Sequence, residues 1–205
     1  MGARWRPTRW QLVQVLIGLW LFGTGEGLVV ASKLGNSPWT VLAEGVSKHT
    51  PLSIGAATFS ISVIVLLCWI PLREWPGLGT VLNAVVIGVA IDTTLALLPH
   101  LGSHGVRWAA LLGGIAIVGL GSGLYLTAAL GPGPRDGLMT GLHARFGWPL
   151  AGVRTGIELT AVTLGFFLGG TVGIGSVLFA LLIGHAVSFG VKRVGPRAAP
   201  ARASA

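Results

Sequence analysis

Four ionisable side chains lie inside apolar stretches of this sequence: Glu26, Asp92, Glu158 and His185. A charge at the centre of a bilayer costs about 2.5–3.5 kcal/mol on insertion scales, so such residues normally face a bundle interior or a water-filled cavity. Side chains of this kind can bind ions, protons or polar solutes. All four are therefore candidate substrate- or ion-binding residues.

Each candidate also has a structural interpretation. Glu158 follows Arg154 by four residues, so the two can neutralise each other on one helix face. Glu26 lies between two glycines and can hydrogen-bond to a neighbouring backbone. Asp92 can reach water near the membrane surface, and His185 can be a satisfied histidine inside a bundle. Both interpretations stay open at this point.

Further polar candidates accompany two Gly/Pro-rich breaks. Arg135 and Asp136 follow Pro134, where the positive end of a helix dipole favours the aspartate and where the arginine can bind an anion. Asn36 and Ser37 precede Pro38 and can either cap a helix or bind a solute. One more polar residue, Asn83, stands among apolar neighbours and can hydrogen-bond across helices.

The sequence predicts no enzyme. It contains no P-loop, no HExxH and no CxxC, and no serine or histidine has the spacing of a nucleophile and its base. Cys68 is the only cysteine, so a cysteine-based metal site is excluded. His100 and His104 are four apart, but Gly102 and Ser103 between them disfavour a helix. We therefore expect no catalytic residues, no metal and no cofactor.

Composition indicates that the solvent of this protein is lipid. Of its 205 residues, 52% are hydrophobic and only 10% are charged, whereas soluble proteins carry about 25% charged residues. The net charge of +8 comes from cations at segment ends rather than in one patch, so we predict no nucleic-acid partner. The expected partners are the bilayer and an unidentified small solute, and a homo-oligomer is left open.

Six apolar runs are long enough to cross a ~30 Å hydrocarbon core as helices. They are 11–32, 53–71, 78–98, 108–129, 150–169 and 174–191. Period-2 alternation is absent, and an open sheet cannot exist in lipid. The predicted fold class is an all-α membrane protein with six transmembrane helices.

The positions of the cations predict the orientation. With the N-terminus in the cytoplasm, 11 Lys and Arg residues lie on the inside and three, namely Lys33, Lys48 and Arg107, lie outside. We therefore predict a multi-pass protein of the cell (plasma) membrane with both termini cytoplasmic. Residues 1–10 form a basic cytoplasmic N-terminus, and 192–205 form a basic, disordered cytoplasmic tail. Seven tryptophans near predicted helix ends are interpreted as interfacial anchors: Trp5, Trp10, Trp39, Trp69, Trp75, Trp108 and Trp148.

An internal duplication is visible at a constant offset of 96 residues. The segment 34–46, LGNSPWTVLAEGV, matches LGPGPRDGLMTGL at 130–142, and glycines in three separate segments align at the same offset. The repeats are 11–98 and 107–191, each with three spans and a Gly/Pro-broken short helix, either re-entrant or interfacial. Because three is odd, the second copy is predicted to be inverted in the membrane, as in many transporters.

The same offset pairs each membrane acid with a small polar residue. Glu26 matches Ser122, Asp92 matches Ser188 and Glu158 matches Ser62, whereas His185 matches Val89. The acidic positions are therefore predicted to face the bundle interior in both halves. Functional residues are expected at positions where the two halves differ, because one substrate cannot make symmetric contacts with both repeats.

The segments GLGSGLYLTAALGPGPRDGLMTGL at 119–142, GTVLNAVVIGVAID at 79–92 and GIGSVLFALLIG at 173–184 resemble the bacterial YczE/YyaS/YitT family of integral membrane proteins. The resemblance covers nearly all of the chain except its termini, and GPGPRDGL is its most specific part. It implies the membrane topology and no particular activity.

Three functions fit the sequence. The first is a small-solute transporter or permease with a site at the repeat interface, where Glu26, Asp92 and Arg135 are the leading candidates. The second is a passive channel lined by the half-helix ends. The third is a non-transporting membrane subunit that scaffolds a partner complex.

Overall fold

The computed structural model describes residues 2–98 and 100–194, and these form α-helices joined by short connections. A 3-10 turn at Gly2–Trp5 precedes the helices. The helices are α1 (Arg9–Ser32), α2 (Pro38–His49), α3 (Ile54–Leu67), α4 (Trp69–Leu72), α5 (Leu78–Leu97), α6 (His104–Thr127), α7 (Pro134–Phe146), α8 (Leu150–Phe167) and α9 (Ile174–Val194).

Within the described residues, the structure confirms six helical stretches that are long and apolar enough to cross a membrane. Five are single helices, and the remaining one is Ile54–Leu72, which combines α3 with the one-turn α4. Pro71 has no N–H to bond to the carbonyl of Leu67, which accounts for the interruption next to Cys68. The last helix continues through Lys192 and Arg193 to Val194, so the first residues of the predicted tail are helical. The tail from 195 onward lies outside the described residues.

Two short helices, α2 and α7, follow the two Gly/Pro breaks. Each begins with a proline at its first turn, where a missing N–H costs nothing. Each is preceded by a glycine with the same left-handed backbone, because φ is 123° at both Gly35 and Gly131. The chain therefore turns in the same way at two points 96 residues apart.

The centre of the bundle is a close crossing of α1 and α6. A Cβ added to Gly18 would lie 2.8 Å from the carbonyl oxygen of Gly121, and one added to Gly25 would lie 2.6 Å from that of Gly114. Later residues of α1 therefore contact earlier residues of α6, so the two helices are antiparallel. Helix α5 packs on α1 and α9 packs on α6, while α2 packs on α8 and α3 packs on α5.

The bundle has two ends, which follow from the course of the chain. The N-terminal end holds the starts of α1, α5 and α8 and the ends of α6 and α9, and the far end holds their opposite termini. Apolar side chains such as Leu181, Ile64 and Phe167 are more than half exposed on the outside, as expected for a surface that contacts lipid.

Trp69 differs from its prediction as an interfacial anchor. Its side chain is 1% exposed, and its indole N–H donates to the carbonyl of Pro134 at 2.9 Å. The ring packs directly against Gly137, where no side chain is in the way. Trp69 therefore positions the start of α7 instead of marking a membrane surface, and its anchor prediction is wrong.

Candidate functional site

A cavity of about 690 Å³ opens among α1, α2, α5, α6, α7, α8 and α9. It runs from mid-depth, at Glu26, to Lys192 and Arg154 near the N-terminal end. Its polar and charged lining consists of Glu26, Ser37, Asn83, Ser122, Tyr125, Arg135, Asp136, Arg154, Glu158, Ser188 and Lys192. The volume is in the range of small-molecule sites, which is 300–1,000 Å³.

Glu26 is the most deeply placed charge in the cavity, with 1% of its surface exposed. Its Oε2 accepts hydrogen bonds from Ser37 Oγ at 2.8 Å and from Thr40 Oγ1 at 2.7 Å. Ser37 is the N-cap residue of α2, yet its hydroxyl makes no cap hydrogen bond. Of the two interpretations of Asn36 and Ser37, the structure does not support capping, because Ser37 donates to Glu26 and Asn36 donates to Glu44.

Arg135, from the first turn of α7, extends over two aromatic rings. Its guanidinium carbon lies 5.3 Å from the ring centre of Trp39 and 6.0 Å from that of Phe22. Within residues 2–98 and 100–194, no carboxylate lies within 4 Å of its nitrogens. The rings hold the guanidinium by cation–π attraction while its N–H edge stays available.

Three polar groups surround the start of α7. The Tyr125 hydroxyl donates to Asp136 Oδ2 at 2.8 Å, and the Tyr125 ring meets Phe22 edge-on with centroids 6.5 Å apart. A Cβ added to Gly133 would lie 3.2 Å from the amide nitrogen of Asn83, which shows how closely α5 approaches this turn. The glycine lets the backbone come this near.

Arg154 and Glu158 form the ion pair that their spacing suggested. Arg154 Nε is 3.0 Å from Glu158 Oε1, and the side chains are 58% and 38% exposed. Both residues line the part of the cavity that lies nearer the N-terminal end. An exposed pair of this kind contributes about 0.3–0.5 kcal/mol, so it balances charge at the cavity mouth more than it stabilises α8.

Six of the nine predicted site residues line this cavity: Glu26, Ser37, Asn83, Arg135, Asp136 and Glu158. Three others lie elsewhere. Asn36 is buried just before the start of α2, and its Nδ2 donates to Glu44. Asp92 accepts from the Gly55 backbone N–H at 2.8 Å and from the Ser53 hydroxyl, so it joins α5 to the start of α3. His185 is exposed, and its Nδ1 approaches only the carbonyl of Leu181 on its own helix, at 3.3 Å.

The sequence analysis missed a polar cluster centred on Glu44. Its carboxylate accepts from Asn36 Nδ2 at 2.7 Å, from the Thr171 N–H at 2.7 Å and from Thr171 Oγ1 at 2.8 Å, and it pairs with Lys48 at 3.0 Å. None of these residues lines the cavity. The spacing of Glu44 and Lys48 looks like an ordinary surface pair, and nothing local in the sequence indicates that Thr171, 127 residues away, completes the cluster.

The cavity exists because α8 and α9 are apart, whereas the corresponding helices of the first half, α3 and α5, are in contact. In the first half, a Cβ added to Gly88 of α5 would lie 2.6 Å from the carbonyl oxygen of Gly55 on α3. The residue 96 positions later, Gly184 of α9, has no atom within 4 Å of the same point. Tyr125 and Phe22 were also missed as site residues, since an aromatic residue in an apolar run carries no signal of its own, and Trp39, interpreted as an interfacial anchor, lines the cavity instead. No group of three His, Cys, Asp or Glu side chains in the described chain could hold a metal.

Comparisons with known proteins agree with this architecture. A model described as "Family of unknown function (DUF6198)" matches residues 9–192. An uncharacterized protein of Haemophilus influenzae is 45% identical over 175 residues, which are 85% of this chain and 80% of that protein. The uncharacterized membrane protein YczE of Bacillus subtilis is 34% identical over 174 residues, 84% of this chain and 81% of its own. The uncharacterized protein YyaS of the same organism is 30% identical over 179 residues, 82% and 86% of the two chains. No solved structure matches. The chain belongs to the YczE/YyaS family, a family of membrane proteins.

Proposed function

We propose that this protein is a small-solute transporter of the cell membrane, with its binding site in the cavity around Glu26 and Arg135. The observation that carries the proposal is a charged cavity that extends towards the N-terminal end of the bundle, while α2 packs on α8 at the far end. Binding and moving a solute requires no bond chemistry, and the cavity residues form no nucleophile–base pair. An enzymatic role is not part of the proposal.

The proposed orientation puts the N-terminal end in the cytoplasm. Arg9, Arg154 and Arg193 begin or end helices there, whereas Lys33, Lys48 and Arg107 lie at the far end. Cations collect on the cytoplasmic side of membrane proteins. The cavity then faces the cytoplasm, and the Glu44 cluster faces outward.

We further propose that the two halves are inverted repeats. The antiparallel crossing of α1 and α6 supports this, because the contact of Gly18 with Gly121 becomes that of Gly114 with Gly25 when the halves are exchanged. A two-fold axis across both helices accounts for this reciprocity. Helices α2 and α7 run from mid-depth to opposite ends, and their N-termini meet where Arg135 covers Trp39. This arrangement favours re-entrant helices over interfacial ones.

The far end is closed by α2 packed on α8. A Cβ on Gly45 would lie 2.8 Å from the carbonyl oxygen of Gly165, so the two backbones are in direct contact. The Glu44 cluster ties α2 to the loop after α8 through Thr171. A passive pore needs a path at both ends, so this closure favours a carrier over the channel alternative.

The first half also suggests how the open end would close. Helix α3 contacts α5 at Gly55 and Gly88, and Asp92 fastens the contact with two hydrogen bonds. Helix α9 has Gly184 and Ser188 at the corresponding positions, and Ser188 lines the cavity. Approach of α9 to α8 in the same manner would cover the cavity, and alternation of the two closures would give alternating access.

Uptake into proteoliposomes tests the proposal. A radiolabelled panel of small amino acids, organic acids and amines is offered with and without a pH gradient, and a carrier gives saturable uptake that is accelerated by solute on the other side. Glu26→Gln should abolish it, and His185→Gln, outside the cavity, should not. Uptake that neither saturates nor responds to gradients would indicate a channel. No uptake, together with stoichiometric co-purification of another protein, would indicate a membrane subunit.

A further inference from the structure

We infer that the cavity binds a small zwitterion of the α-amino acid type, with its carboxylate on Arg135 and its ammonium group on Glu26. This inference rests on the proposed function, since it names the substrate class of the same site. Glu26 and Arg135 carry opposite charges and both face the cavity, but they form no ion pair with each other.

The anion-binding half of the argument concerns Arg135. A guanidinium has five N–H donors in a flat fork that matches a carboxylate in bidentate geometry. The guanidinium lies over the rings of Trp39 and Phe22, which cannot accept all of the donors on its edge. No other described residue accepts a hydrogen bond from Arg135 or pairs with it. The side chain is thus held in place while its donors face the cavity, ready for an anionic group.

The cation-binding half concerns Glu26. Hydroxyl groups of Ser37 and Thr40 both bind Oε2, and no described residue donates to Oε1. The carboxylate lies inside an apolar helix, where a charge is costly, and no described cation lies within 4 Å of its oxygens. An ammonium group in the cavity supplies the missing donor and a directly paired charge.

Charge balance selects a solute that carries both signs. At depth the cavity presents Glu26, Asp136 and Arg135, together with the N-termini of α2 and α7. Each helix N-terminus contributes about half a positive charge, so the deep set is close to neutral. Nearer the mouth, Arg154 and Glu158 cancel each other, and Lys192 adds one positive charge. A lone anion would meet two carboxylates, and a lone cation would meet Arg135, whereas a zwitterion can satisfy both poles.

The space beside these charges is apolar. Phe179, Ile183 and Val187 line it along α9, and a small aliphatic or aromatic side chain can lie against them. L-Leucine is therefore the first probe. Its two matched analogues are 4-methylpentanoate, which lacks the ammonium group, and 3-methylbutylamine, which lacks the carboxylate.

The experiment measures the thermal unfolding midpoint of the full chain in lipid nanodiscs against ligand concentration. L-Leucine, L-phenylalanine and L-serine are compared, each with its acid and amine analogues. At least one amino acid should raise the midpoint at a concentration about tenfold or more below either of its analogues, the effect of one charge-assisted hydrogen bond. Equal or tighter binding of an analogue, or no shift with any of the three amino acids, would overturn the inference.

Two variants identify which charge each pole contacts. Arg135→Gln should remove the preference for the amino acid over the amine but keep its preference over the acid. Glu26→Gln should do the reverse, and His185→Gln should leave both preferences unchanged. If each variant weakened binding without altering either preference, the assignment of the poles would be wrong. Loss of fold is recognised separately, because an unfolded variant has no cooperative transition.

Binding and flux separate this inference from the transport proposal. Zwitterion binding without uptake in proteoliposomes would support the inferred site and contradict the transport proposal. Saturable uptake of a singly charged solute, with no zwitterion bound, would support the transport proposal and contradict the inferred substrate class.

Discussion

The closure at the far end gives the most direct test of the carrier mechanism. Glu44 accepts three hydrogen bonds at 2.7–2.8 Å from Asn36 and Thr171, and its side chain is 14% exposed. Glu44→Ala removes the acceptor for all three. Asn36 is 2% exposed and its Oδ1 already has no partner in the described chain, so its amide would lose its one observed hydrogen bond.

The expected magnitude follows from these contacts. A buried donor left without a partner costs about 1–3 kcal/mol, and two donor residues are affected. The pair with Lys48 adds little, because Lys48 is 47% exposed and surface pairs are worth about 0–1 kcal/mol. The closed arrangement should lose about 3 kcal/mol relative to one in which water reaches these donors. That corresponds to roughly a hundredfold shift in the equilibrium.

Cysteine labelling measures this shift. Val41 of α2 is fully buried where α2 packs on α8, and a Cβ added to Gly165 of α8 would contact the Val41 backbone. With Cys68 replaced by serine, Val41→Cys gives a single thiol at the closure. A membrane-impermeant maleimide added from outside should label it slowly, and Glu44→Ala should accelerate labelling by one to two orders of magnitude.

Glu158→Ala is the matched control, since it also removes an acid with a basic partner at i±4 but from an exposed pair elsewhere. It should not change the labelling rate. If Glu44→Ala left the rate within about threefold of the parent while the protein unfolded at the same temperature, the Glu44 cluster would not be what holds the far end closed.

Three further predictions test the packing, the open end and the orientation. Gly114→Ala should lower the unfolding midpoint in detergent by several degrees, because the new Cβ would lie 2.7 Å from the carbonyl oxygen of Gly25, whereas Gly113→Ala has open space and should not; equal midpoints would contradict the close crossing. Gly184→Leu should fold normally, because nothing lies within 4 Å, but should slow uptake at least tenfold, because the new side chain would extend into the cavity and keep α9 from α8; full uptake would argue against both effects. A reporter fused after His49 should be located outside the cell, and a cytoplasmic signal would overturn the orientation.

The helices and breaks could be predicted from the sequence because their signals are local. Apolar length marks each span, and a Gly and a Pro mark each start of a short helix. The positions of side chains around each helix could not be predicted in the same way. These helices are apolar on nearly every face, so no polar face indicates the interior. Only the 96-residue offset, which matches Glu26 with Ser122 and His185 with Val89, separated these two candidates, of which Glu26 is buried in the cavity and His185 is exposed.

Trp69 and Glu44 show a second limit. Trp69 contacts Pro134 and Gly137 from 65 and 68 residues away, and Glu44 contacts Thr171 from 127 residues away. Such contacts depend on how the two halves of the chain pack. The repeat could not supply them either, because the matching positions at the 96-residue offset, Thr140 for Glu44 and Trp75 for Thr171, cannot form the same cluster.

The differences between the halves follow one pattern, which explains why the cavity lies on one side. Asp92 fastens α3 to α5 through Ser53 and Gly55. Its counterpart Ser188 has no carboxylate, and Pro149 replaces the hydroxyl of Ser53. The second half therefore lacks the fastening that closes the first, and α8 stands away from α9. Glu44 adds to this asymmetry at the far end by holding α2 against α8. Asp92 and Glu44, which have no acidic counterparts in the second half, thus favour the arrangement that is open at the N-terminal end. Glu44→Ala and Ser188→Asp should therefore shift accessibility in the same direction.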